Sequence, residues 1–207
     1  MVLLSAVKSH RGGRDYCNQR VRSKEMRVAE ADILILPGLN DSEPEHWQSR
    51  WRQKLSTARK VEHDDWRAPR LSPWRDAVER AIVASDRKIV AVAHSLGALT
   101  FLHVAERQSD RIAGAFLVAP PADSAASRLP AVDPAFFPAP RGRLAFPAIV
   151  VGSADDPYAP VPFARDLATD LGADYLDAGA AGHINLASGH GPWPEGSMVF
   201  ARFLASL

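Results

Sequence analysis

Two short runs of this chain are apolar at every position: Ile33-Leu34-Ile35-Leu36 and Ile89-Val90-Ala91-Val92-Ala93. A strand with one wet face alternates apolar and polar residues, whereas a strand covered on both faces does not. Fully covered strands are the habit of parallel sheets, and parallel neighbours need a crossover, usually a helix, to join them. These two runs therefore constrain the chain to a layered α/β arrangement, provided that helical segments separate the strands.

Such segments are present. Ser42-Glu43-Pro44-Glu45 has the form of a capping box, and Trp47, Trp51 and Leu55 follow at helical spacing. Ser72-Pro73 opens a second helix with an apolar stripe of Trp74, Ala77, Val78, Ala81 and Ile82. Residues 96–107 and 161–171 read as further helices, the latter stopped by Gly172. Residues 195–205 close the chain with Met198, Val199, Phe203 and Leu204 inward. Strands are expected at 32–36, 60–63, 88–93, 112–119, 147–152 and 173–177. Residues 120–146, rich in Pro and Ala, read as a long irregular connection of the kind that forms lids or binding loops. The expectation is a three-layer sandwich with a mainly parallel central sheet and helices on both faces.

In such sheets ligands bind beyond the carboxyl ends of the strands, so the residues after each strand matter most. After the first strand come Pro37-Gly38-Leu39-Asn40; after the third, His94-Ser95-Leu96-Gly97. After the fifth come Ser153-Ala154-Asp155-Asp156, and after the sixth Ala178 to Gly182, then His183. Ala93-His94-Ser95-Leu96-Gly97 fits the nucleophile elbow G-x-S-x-G with alanine for the first glycine. The pattern needs small residues because the strand-to-helix turn is tight. The plainer reading is that Ser95 only caps the following helix.

A serine hydroxyl needs a base, and the base needs an acid to fix its tautomer. Of seven histidines, His183 follows the last strand behind Gly-Ala-Ala-Gly, with His190 the alternative. His94 adjoins Ser95 but its side chain is expected to point away from it. Asp155 and Asp156 both follow the fifth strand, and the residues alone do not separate them. The order Ser…Asp…His is that of α/β-hydrolases. Oxyanion donors would be the backbone N–H of Leu96 and one from the first loop, Leu39 or Asn40. Asn40, Trp47, His94, Phe137 and Trp193 are candidate pocket residues. The tryptophans have the rival reading of core packing. Phe136, Phe137 and Phe146 are candidates for an apolar rim.

Four blocks together, ILPGLNDSEPEHWQSRW (35–51), AHSLGA (93–98), VGSADDPYAP (151–160) and AGHINLASGHGPWPEG (181–196), resemble the small serine hydrolases of the YdeN and retinoblastoma-binding-protein-nine type. These are compact members of the α/β-hydrolase superfamily. The resemblance spans about residues 30–207. It implies Ser95 as nucleophile, Asp156 rather than Asp155 as the acid, His183 as base, and little or no cap domain. It supplies no substrate.

The function expected is a serine hydrolase, carboxylesterase-like, cleaving an ester, thioester or activated amide through an acyl-enzyme. The partner expected is a small-molecule ester. Rival readings are an acyltransferase with the same triad and a binding module acting through a tryptophan-rich face. No cofactor is expected, since no Walker or dinucleotide fingerprint follows a strand. No metal is expected, since paired ligand spacings are lacking.

Composition narrows the rest. Apolar residues make up 46% and charged residues 24%, with a net charge of +1. That balance gives no reason to expect a nucleic-acid binder. No apolar run approaches the ~20 residues of a membrane span, and a cytoplasmic location is expected. One cysteine, Cys17, admits no internal disulfide. Residues 1–28 hold seven Lys/Arg against two acidic residues. They are expected to be a basic extension that is disordered or lies upstream of a true start at Met26, with the domain at 29–207.

Overall fold

The computed structural model describes residues 30–207. The expectation for residues 1–28 lies outside them. Six strands form one sheet: β1 Asp32–Leu36, β2 Ala58–Lys60, β3 Ile89–His94, β4 Ile112–Val118, β5 Ala148–Gly152 and β6 Asp174–Asp177. Their order is β2-β1-β3-β4-β5-β6, and every pairing is parallel. Among the described residues five α-helices complete it: α1 Trp47–Lys54, α2 Leu71–Val83, α3 Leu96–Ala105, α4 Val161–Leu171 and α5 Pro194–Ser206.

The apolar runs explain the layering. Along β1, Leu34 and Leu36 point into one core, with Trp74, Leu99, Phe101 and Leu167. Ile33 and Ile35 point into the other, with Trp47, Trp51, Trp193, Phe200 and Phe203. Strand residues alternate between faces, so burial of both faces demands an unbroken apolar run. α2, α3 and α4 cover the first face; α1 and α5 cover the second.

Strand order places the site. The chain goes from β1 out to β2 on one side, then returns to β3 on the other. Loops after β1 and β3 therefore diverge and leave a crevice between them, the switch point where open α/β sheets bind ligands.

The structure corrects several local expectations. The α1 cap is His46, whose Nδ1 accepts the Gln48 N–H at 3.2 Å. Ser42 instead donates to the Gln48 side chain at 2.8 Å, because Glu43 to Glu45 still turn before the helix starts. Gln48 is fully buried and its amide donates to Leu36 O and Val92 O, both at 3.1 Å. It ties α1 to the ends of β1 and β3. β2 lies at 58–60, not 60–63, because His63 leaves the sheet to stack on Trp74, ring centroids 4.0 Å apart. On α5, Phe200 faces inward and Met198 is 57% exposed. The buried stripe runs Gly196, Phe200, Phe203, Leu204, a spacing of i, i+4, i+7 and i+8. α3 ends at Ala105, and the stretch 120–146 holds only short 3₁₀ turns at Asp123–Arg128 and Pro134–Phe136.

Candidate active site

β3 delivers Ser95 on a turn with little freedom. Its backbone sits at φ 53°, ψ −124°, a left-handed region that a residue with a Cβ adopts only under constraint. The constraint is visible. The Ser95 N–H donates to Val118 O at 2.9 Å, and α3 begins at once. Gly97 shows why this position needs glycine. A Cβ there would lie 2.3 Å from Leu36 O and 2.4 Å from Pro37 O. At Gly38 a Cβ would come within 2.9 Å of the Ser95 Cβ. The two small residues let the β1 loop and the elbow close on each other.

The β5 loop separates its two aspartates by geometry. Asp155 faces the base loop. Its Oδ1 accepts the Gly182 N–H at 2.7 Å and the Ser153 hydroxyl at 2.9 Å. Those two bonds, Gly182 first, hold its carboxyl below the usual carboxylate range. Ser153 Oγ also accepts the Ala181 N–H at 3.0 Å. Asp156 faces His183, with both carboxylate oxygens 3.0 Å from Nδ1. Its Oδ1 also accepts the Tyr158 N–H at 2.9 Å.

His183 Nε2 lies 2.8 Å from Ser95 Oγ. Nδ1 faces a carboxylate, so it carries the proton and leaves Nε2 free to accept the Ser95 hydroxyl. The Tyr158 ring meets the imidazole edge-on at 4.7 Å. Behind the ring, the base loop is pinned from below. His94 Nε2 donates to His183 O and Trp47 Nε1 donates to Ile184 O, each at 2.9 Å. Burial first, then the neighbouring His183, pulls the His94 pKa well below the ordinary histidine value. His94 is therefore neutral, and its Nε2–H is the donor. His190 stays away from Ser95, with Nδ1 3.2 Å from Ser188 Oγ.

Leu96 and Leu39 both line the crevice, and the backbone N–H of neither has a protein acceptor among the described residues. Leu96 is the first residue of α3, where an N–H has no helical partner. The Asn40 N–H is spent on Trp66 O at 2.8 Å, which leaves Leu39 as the free donor of that loop.

The cleft above Ser95 holds about 800 Å³ of empty space, its open mouth included. Of the candidate pocket residues, Asn40 and His94 line it. The His94 ring sits 5.0 Å from the His183 ring. Trp47, Trp193 and Phe137 are not in the wall. Trp47 and Trp193 meet edge to face in the core beneath it, 5.0 Å apart and 0% and 5% exposed. Phe136 and Phe146 are core residues too, and Phe137 packs half-buried against the same core. The long loop contributes Leu129 and Val132 to the wall instead. Sequence reasoning also missed His46, Asp41, Tyr158 and Asn185 in the lining. Tyr158, within the Asp-Asp-Pro-Tyr block, had a signal in its position two after Asp156.

Among the described residues no group of His, Cys, Asp and Glu is placed to hold a metal ion. No helix there is long and apolar enough to cross a membrane.

Known proteins bear on this geometry. A YdeN-like hydrolase from Pectobacterium atrosepticum is 29% identical, with a TM-score of 0.75 over 86% of this chain and 92% of that one. The ydeN gene product of B. subtilis is 21% identical, with a TM-score of 0.68 over 84% and 98%. The esterase RhEst1 from a Rhodococcus species shares the fold at 14% identity, with a TM-score of 0.59 over 88% and 93%. No curated protein sequence matches the chain significantly. The pattern of the serine hydrolase family matches residues 33–202. With its parallel sheet and no large cap, the chain belongs to the serine hydrolase family, within the α/β-hydrolase superfamily.

Proposed function

We propose that the chain hydrolyses small carboxylic esters through Ser95, His183 and Asp156. The observation that carries this reading is the continuous line from Ser95 Oγ through the imidazole to the Asp156 carboxylate, at 2.8 and 3.0 Å. In the reaction His183 takes the Ser95 proton as Oγ attacks the acyl carbon. Asp156 holds the Nδ1–H tautomer and stabilises the imidazolium. The N–H groups of Leu96 and Leu39 receive the oxyanion, helped by the positive N-terminal end of α3. His183 then passes the proton to the leaving oxygen, and water repeats the sequence to free the acid. Leu96, Leu129 and Val132 in the wall favour an apolar acyl part. The Rhodococcus protein with this fold is an esterase, which supports the bond type.

The test is intact-protein mass after treatment with a fluorophosphonate. Wild type should gain one adduct, Ser95→Ala none, and His183→Ala should label far more slowly. Labelling that persists in Ser95→Ala would defeat the reading. Acyl transfer uses the same residues, and product analysis with competing alcohols separates the two outcomes.

A further inference from the structure

His46 has work left over after its structural role. It caps α1 through Nδ1, which accepts the Gln48 N–H at 3.2 Å. A neutral imidazole with an accepting Nδ1 carries its proton on Nε2. The side chain is 2% exposed, yet it lines the same cleft as Ser95 and His183. Its Nε2–H meets no protein acceptor among the described residues, and it is not sealed inside the core. The Nε2–H is thus a donor open to the cleft, free for a ligand to engage. Burial and the neighbouring His183, opposed by Asp41, bring the His46 pKa down to about 4. The ring is thus an uncharged donor at neutral pH.

Its place in the cleft narrows what it meets. The His46 ring lies 5.3 Å from that of His94, which lies 5.0 Å from that of His183. His183 gives its proton to the leaving oxygen, so the leaving alcohol rests against the loop carrying His183. Asn185 and Leu186 continue the same wall. We infer that His46 Nε2–H is a specificity-determining donor to an oxygen on the alcohol part of the substrate, so that oxygenated alcohols leave in preference to plain alkyl ones. This rests on the assignment of Ser95 as nucleophile.

The experiment compares kcat/KM for 2-methoxyethyl acetate and n-butyl acetate, whose leaving groups differ by one oxygen for one CH₂. Intrinsic reactivity cancels when the ratio is compared between variants. His46→Ser keeps an N-cap acceptor but removes the reaching donor; His46→Asn does the same and serves if the serine variant fails to fold. His46→Gln restores a donor at similar reach. The methoxyethyl preference should drop about tenfold in His46→Ser or His46→Asn and return in His46→Gln, with fluorophosphonate labelling of Ser95 intact in each. An unchanged ratio in folded, labelled variants would overturn the inference and leave the Ser95 assignment standing. So would a His46-dependent preference confined to the acyl side, read from p-nitrophenyl methoxyacetate against p-nitrophenyl butyrate. Wild type that fails to label at Ser95 would overturn both.

Discussion

The loops after β3 and after β6 bring Ser95 and His183 within 2.8 Å, but different forces hold them. The elbow is held by the sheet itself. A single residue, Ser95, joins strand to helix, packed on backbone, with no room at Gly97 for a methyl group. The base loop runs from Ala178 to Trp193 and has no such frame. Beyond the burial of Ile184 and Trp193, it is held by polar contacts from three elements: Ser153 and Asp155 of the β5 loop on its amides, His94 of β3 and Trp47 of α1 on its carbonyls. Each such bond contributes about 1 kcal/mol net. One member of the pair is therefore positioned by packing that cannot give, and the other by a sum of modest bonds that can be removed singly.

The largest effect should come from the one contact that sets the protonation of His183. Asp156→Asn should cut kcat about 10⁴-fold with little change in melting temperature, because the amide favours the wrong tautomer. A loss under tenfold would mean that another group orients the ring. Next is the elbow. Gly97→Ala should cost about 3 kcal/mol in urea unfolding, since its Cβ meets backbone atoms of Leu36 and Pro37 that have nowhere to move. A stable, active Gly97→Ala protein would show that the elbow yields as readily as the base loop. His94→Leu removes one support of the base loop and leaves His183 O unmatched. kcat should fall about 20-fold while KM for a neutral ester moves less than twofold. Equal loss in both constants would point to a collapsed cleft rather than a displaced base.

The smallest effect concerns acid. His63 stacks on Trp74 with neither ring nitrogen partnered, and burial brings its pKa down to about 4 against an opposing Asp41. A depressed histidine pKa means that the unfolded chain binds the proton more readily. The associated stability is complete above pH 6.5 and is lost as pH falls toward 4. Trp66, beside His63, takes the Asn40 N–H, so this loss falls on the oxyanion side of the site. His63→Phe should shrink the difference in unfolding free energy between pH 7 and pH 4.5 by about 1–2 kcal/mol. An unaltered difference would place the acid sensitivity in other groups, such as His46 and His94.

The same contrast explains what the sequence could disclose. The elbow is a local pattern, strand then small turn then helix, and five consecutive residues reveal it. The order of Ser95, an aspartate at 155 or 156, and His183 along the chain is legible for the same reason, since each follows its own strand; the geometry, with Asp156 facing His183 Nδ1, separates the two aspartates. The supports of the base loop were not legible. Trp47 and Ile184 are 137 positions apart, and no spacing rule joins them. Trp47 and Trp193 take the core packing that the sequence also allows, because large apolar rings gain more from full burial than from a wet wall, while Phe137 packs half-buried against the opposite core. His46 looked like one more helical residue. Only the late start of α1 makes it a cap with a spare donor.

The backbone of Ser95 has a practical consequence. A left-handed conformation costs a residue with a Cβ about 1–3 kcal/mol, and glycine accepts it freely. A glycine at position 95 would thus relax the chain while deleting its hydroxyl. Variant libraries ranked by melting temperature alone would accordingly promote inert proteins, and engineering of this scaffold should score heat resistance and serine labelling together.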